Sequence, residues 1–182
     1  DSQNETLKNT TGLWNRIVRG DFNQDGRIDF ALGNYGMNSQ LKPPLSLYYD
    51  DFDNNGSIDP ILCVLESGKE YPFLSKDDIQ SQLVSLKSKY VSYSSFADQT
   101  IQDVFDQKTL QKANKLNAKF LKSSVLLNIS NNTFEINPLP DLAQISPVFG
   151  IITFKDSAPK YNWNIVSKCF AKTYHSAVEI VP

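Results

Sequence analysis

The chain has 182 residues, 40% of them hydrophobic, and a formal net charge of -2 at pH 7. That much apolar material can build a core and excludes a disordered polypeptide. A near-neutral balance with no long run of one sign excludes an electrostatic binder of nucleic acid or anionic membrane, and no stretch approaches the ~20 apolar residues of a membrane span.

Residues 1–13 are polar and read as a flexible arm. Trp14 to Phe22 reads as a strand, with Trp14, Ile17 and Val18 between charged neighbours. An acidic loop follows, and Asp29 to Gly33 returns to close a hairpin. Asn34 to Pro44 is a Gly-, Asn-, Ser- and Pro-rich connection. The order then repeats: a strand from Leu45 to Phe52, a second acidic loop, and a returning strand from Pro60 to Leu65. After a turn at Glu66–Lys69, Glu70 to Phe73 is a short extended piece.

The middle changes character. Ser75 followed by Asp77 and Asp78 is a helix start, with a capping oxygen and first-turn acids. Ile79, Leu83, Leu86 and Tyr90 recur at helical spacing and predict one apolar stripe. Thr100–Phe105 and Lys108–Leu116 predict two further short helices joined near Asp106. The helical insertion therefore spans about residues 75–118. Strands return at Phe120–Asn128 and Thr133–Asn137, joined by a turn at Asn131–Asn132, and again in the apolar run Val148–Phe154. Residues 155–182 have only weak patterning and read as a divergent tail.

The two acidic loops are copies of one pattern. Asp21-Phe-Asn-Gln-Asp-Gly-Arg-Ile-Asp29 and Asp51-Phe-Asp-Asn-Asn-Gly-Ser-Ile-Asp59 both read D-F-[ND]-x-[DN]-G-x-I-D. Oxygen side chains stand at positions one, three, five and nine, and Gly at six allows a sharp turn. Position seven can offer a backbone carbonyl. Such a wrap suits a hard cation, and calcium above all, which takes six to eight oxygens in a flexible cage. An EF-hand is excluded, because position twelve is Leu32 or Leu62 rather than Glu and no helix start precedes either loop. The rival reading is that Asp/Asn/Gly loops are ordinary turns; two copies of the full oxygen set weigh against it.

The strand–acidic loop–strand pattern, with Gly20-Asp21-Phe22, Gly33-Asn34-Tyr-Gly-Met-Asn38, Asp59-Pro60-Ile61 and Gly68-Lys-Glu-Tyr-Pro-Phe73 before a helical insert, resembles the FG-GAP/VCBS repeats of calcium-binding β-propellers. These repeats occur in integrin α-subunit heads and in secreted bacterial proteins beside ASPIC/UnbV modules. Leu127-Asn-Ile-Ser-Asn-Asn-Thr-Phe134 is similar to their strand–turn–strand unit. The resemblance covers about residues 14–154. It implies a mainly β fold with a helical insertion, built of partial propeller-type antiparallel hairpins, and the length admits two or three blades. It implies one calcium ion at Asp21, Asn23, Asp25, Asp29 and the Arg27 carbonyl. It implies a second ion at Asp51, Asp53, Asn55, Asp59 and the Ser57 carbonyl. The implied role is a calcium-stabilised adhesion or binding module, extracellular, at the bacterial surface or in the periplasm, for a protein or glycan ligand. Open sheet edges point to a homodimer.

No nucleophile motif, phosphate loop or zinc set is present, and His175 is the lone histidine, so no enzyme is expected. Cys63 and Cys169 read as free structural thiols. Tyr48, Tyr49, Tyr71, Phe73, Tyr90, Tyr93 and Phe96 could form a carbohydrate platform, which keeps an accessory module of a polysaccharide-processing system as the alternative. Core and edge packing is their simpler use.

Overall fold

The computed structural model describes residues 5–130, 133–154 and 164–168. In chain order the elements are α1 (Glu5–Lys8), β1 (Arg16–Gly20), β2 (Asp29–Gly33), β3 (Leu45–Asp50), β4 (Asp59–Glu66) and β5 (Lys69–Pro72). The short helices α2 (Lys76–Gln82), α3 (Leu86–Lys89), α4 (Tyr93–Phe96), α5 (Ile101–Val104) and α6 (Gln107–Lys112) follow. The chain continues with β6 (Asn114–Ala118), β7 (Ser124–Ser130), β8 (Thr133–Pro138), a 3-10 turn at Asp141–Gln144, β9 (Gly150–Phe154) and β10 (Asn164–Lys168). The fold is mainly β, with two antiparallel four-stranded sheets. It divides into two units, residues 1–42 with 119–182, and residues 43–118.

The first unit carries a meander in the order β1-β2-β7-β8, and a separate β9–β10 hairpin. Strand β2 alternates in the expected way: Asp29, Ala31 and Gly33 face inward and are buried, while Phe30 and Leu32 are half-buried. Its core gathers Ala31, Leu139, Ala143, Val148 and Ile151, with Val18, Phe22 and Val125 against it. Gly33 is required by close approach, since a Cβ there would stand 2.7 Å from the Val148 carbonyl oxygen. A buried amide pins the connection. Gln144 Nε2 donates to the carbonyls of Ser123 (2.9 Å) and Leu139 (2.8 Å), and its Oε1 accepts from Ser123 N–H (2.8 Å). Every hydrogen-bonding group of that buried side chain is thus used. Residues of the expected N-terminal arm are tied in: Thr11 C=O accepts from Lys119 N–H and Phe120 N–H, and Trp14 Nε1 donates to Thr10 C=O.

The second unit orders its sheet β5-β4-β3-β6 and packs the short helices on it. Tyr48, Ile61 and Cys63 from the strands meet Ile79, Leu83, Leu86, Tyr90, Ile101 and Val104. Ser75 caps α2 as its sequence predicts, accepting from Asp78 N–H at 3.2 Å. Thr100 and Asp106 cap α5 and α6 in the same way.

Two expectations need correction. The stripe Ile79–Leu83–Leu86–Tyr90 is buried, but on two helices rather than one. The break is stabilised by buried Gln80, whose Nε2 donates to the carbonyls of Tyr90 (2.7 Å) and Leu86 (3.3 Å). The helix expected over Lys108–Leu116 stops at Lys112, and Asn114–Ala118 forms β6. It pairs with β3 from Leu45↔Ala118 to Tyr49↔Asn114, giving that strand's backbone a partner it would otherwise lack. Of the expected tail, β10 is paired to β9; Cys169 and His175 lie outside the described residues. Among the described residues no helix is long and apolar enough to cross a membrane.

Candidate metal centres

The acidic loops sit at equal registers in two hairpins. The first joins β1 to β2 beyond the pair Gly20↔Asp29, and the second joins β3 to β4 beyond Asp50↔Asp59. Their backbones repeat: Gln24 and Asn54 at position four have φ of 61° and 58°, and Gly26 and Gly56 at position six have 81° and 87°. Left-handed φ explains the glycine at six, and an Asn at four bears it better than most side chains.

The internal hydrogen bonds repeat as well. Position one receives two N–H groups, from Asp25 and Gly26 at Asp21 (both 3.1 Å) and from Asn55 and Gly56 at Asp51 (2.9 and 2.8 Å). Position three receives the N–H of position five, at 3.2 Å for both Asn23 and Asp53. Position five receives the N–H of seven, at 2.8 Å for both Asp25 and Asn55. The buried Asp at nine receives the N–H of the aromatic at two, Phe22 to Asp29 (2.8 Å) and Phe52 to Asp59 (3.1 Å). Each loop is a nest of short-range side chain–backbone bonds, so its shape follows from its own sequence.

The copies differ in what the carboxylates do next. In the second loop, oxygens of Asp51, Asp53 and Asp59 all lie within 4.8 Å of one another. Two ligands on opposite sides of a calcium ion, at bonds of about 2.4 Å, stand about that far apart. The donor set is oxygen only, the preference of a hard cation. Asp59 is 5% exposed; its Oδ2 accepts from Phe52 N–H, and no bond to Oδ1 is seen among the described residues. Its carboxyl is shifted upward by burial; the Phe52 N–H opposes this, while neighbouring Asp53 and Asp51 add to it. Such a carboxylate is better accommodated once a cation joins it. The group can therefore hold a metal ion. Asn55 Oδ1 is turned to the Ser57 N–H in this geometry.

In the first loop the same positions are already engaged. Arg27 returns its guanidinium to Asp25 Oδ2, which also accepts from Asn23 Nδ2 at 2.6 Å. Arg27 Nε donates to the Asn128 carbonyl at 2.6 Å, and Asn128 N–H donates to Asp29 Oδ1 at 2.8 Å. Both oxygens of Asp29 thus accept backbone N–H groups. Asp21, Asp25 and Asp29 do not converge as the second loop's acids do; among the described residues the Asp51–Asp53–Asp59 group is the only convergence of three such ligands. Sequence reasoning missed Asn128, which acts through its main chain and lies 99 residues beyond its partner Asp29.

A second polar cluster lies in the second unit's sheet. Glu70 on β5 accepts from Ser46 Oγ, from Tyr48 OH at 2.6 Å, and from Lys115 Nζ at 2.7 and 3.0 Å. Burial alone would raise the Glu70 carboxyl, but the bonds from Lys115, Ser46 and Tyr48 outweigh it and hold the group below the usual range. A depressed carboxyl stabilises the fold above its unfolded pKa of about 4.3, and the gain disappears as pH falls through the lower folded value. Glu70→Gln should therefore cost about 1–3 kcal/mol at pH 7 in urea denaturation, with the difference from wild type shrinking below about pH 4. Beneath this cluster, the buried free Cys63 thiol is pushed up to about 12, chiefly by burial, which leaves it packing material and not a nucleophile.

Comparison of the chain with protein-family models, with curated proteins and with solved structures returns no match.

Proposed function

We propose that the chain is a calcium-stabilised extracellular binding or adhesion module of the FG-GAP/VCBS propeller type. The observation that carries this is the convergence of Asp51, Asp53 and Asp59 in a loop whose register, φ pattern and hydrogen bonds are duplicated at residues 21–29. The β1-β2-β7-β8 meander also has the four-antiparallel-strand form of a propeller blade. Calcium here is structural: it draws carboxylates together across a hairpin and stabilises the fold by mass action. Millimolar calcium outside the cell suits sites of modest affinity. The short helices between Lys76 and Lys112 are the candidate surface for a protein or glycan ligand, as insertions on a rigid scaffold often are.

Thermal unfolding in excess calcium and in chelator tests the reading. Calcium should raise the melting temperature by several degrees, and Asp53→Ala should remove most of the rise. An identical melting curve with and without calcium would leave the loops as turns and end the proposal.

One observation favours the carbohydrate-binding alternative. A cleft of about 450 Å³ in the second unit is lined by Tyr48, Gln102, Gln107, Leu110, Gln111 and Lys115, and its three amide side chains are of a kind that meets hydroxyls. A glycan array would favour it if binding were reproducible and lost on changing Gln107 and Gln111 to Ala.

A further inference from the structure

We infer that the two loops are unequal toward calcium, with Arg27 acting as a tethered cation that holds the first loop closed and lowers its affinity, so that the second loop fills first. This rests on the reading of both loops as calcium sites and deepens it.

The inequality comes from groups the shared motif does not specify. Position seven is Arg27 in one copy and Ser57 in the other. The Arg27 guanidinium reaches the Asp25 carboxylate and, through Nε, the Asn128 carbonyl on β7. The neighbouring Asn128 N–H occupies the one oxygen of Asp29 that Phe22 leaves over. An entering divalent ion would have to displace the guanidinium from Asp25 and accept its repulsion, and Asp29 would have to share oxygens already bonded. The second loop presents the reverse case. Between residues 50 and 59 stand four carboxylates and no basic residue, against three carboxylates and Arg27 between residues 20 and 29. Asp59 Oδ2 accepts from Phe52 N–H, no bond to its Oδ1 is seen among the described residues, and that residue belongs to the convergent group. A carboxylate with spare acceptor capacity among other acids can take a cation without giving up a bond.

Electrostatics sets the size of the effect. A unit charge some 5–6 Å from a divalent ion, in a largely aqueous dielectric, changes the binding constant on the order of tenfold. The Arg27 carbonyl remains available as a ligand whichever side chain stands there, so replacing the side chain isolates the charge.

The test is calorimetric titration of the whole chain with calcium chloride at fixed ionic strength. Wild type should bind in two steps separated on the order of tenfold or more. Asp53→Asn should delete the tighter step, and Asp25→Asn the weaker one. Arg27→Gln should tighten the weaker step on the order of tenfold and leave the tighter one in place, whereas Arg27→Lys, which keeps the charge, should move it far less. Equal steps in wild type, loss of the tighter step in Asp25→Asn, or an unmoved weaker step in folded Arg27→Gln would each overturn the inference. Should Arg27→Gln not fold, the two aspartate variants decide the filling order by themselves. No calcium heat in any variant would instead remove the underlying calcium reading, and this inference with it.

Discussion

Ile61→Ala is expected to remove about 2–5 kcal/mol of stability, as deletion of a fully buried branched side chain does when its surroundings close only in part. Ile61 has no exposed surface, and it lies on β4 opposite Tyr48 of β3. On that face it belongs to the cluster of Ile79, Leu83, Ile101 and Val104, so a void there loosens sheet and helices together. It also stands two residues beyond Asp59 on the same face of the strand, so the packing that seats Ile61 also sets the base of the second loop. Ile61→Val should cost only about 0.5–1.5 kcal/mol. Urea denaturation of both variants checks the pair. Similar small losses would mean that the interior is looser than its burial indicates.

Asp59→Asn should reverse its sign with calcium. The carboxyl of Asp59 is raised in the folded protein, mainly by burial and then by Asp53 and Asp51 against the opposing Phe52 N–H. A raised acid favours the fold below its unfolded pKa of about 3.9, and that contribution is lost as pH climbs through the folded value. At neutral pH without calcium, the charge is therefore a burden. Asn keeps an acceptor for Phe52 N–H and removes the charge, so the variant should be as stable as wild type or more so in chelator. In calcium at a hundred times the dissociation constant, wild type should gain about 2.7 kcal/mol. The variant should gain little. Paired unfolding curves of both proteins in chelator and in calcium would show the crossing; a variant weaker in chelator and equally helped by calcium would contradict it.

Much of this architecture can be read from local pattern. The two loops declare themselves because their hydrogen bonds run between residues two to seven apart, a distance over which sequence dictates geometry. The caps at Ser75, Thr100 and Asp106 are local for the same reason. What pattern could not supply is non-local. Asn114–Ala118 looks helical by continuity and becomes a strand because β3 offers it a ladder. The stripe from Ile79 to Tyr90 implies one helix, but the long-range amide of Gln80 stabilises a break in it. The difference between the two loops' side-chain bonds is equally hidden, because the carbonyl at position seven is visible in the motif, whereas the reach of the Arg27 side chain to Asn128 is a tertiary fact.

The connectivity of the first unit has a consequence for how the chain reaches its fold. Strands β2 and β7 are neighbours, joined by pairs such as Leu32↔Ser124, and the whole of residues 43–118 is threaded between them. Closing so long a segment costs little more than closing one half as long, because the entropy of closure grows only with the logarithm of length. The burden falls on rate, since a pairing of such large sequence separation must wait for a slow search. The intervening segment has its own sheet and core, and once compact it is a short tether whose ends no longer wander. Residues 43–118, whose ends meet in the pair Leu45↔Ala118, thus narrow the search by which β2 finds β7.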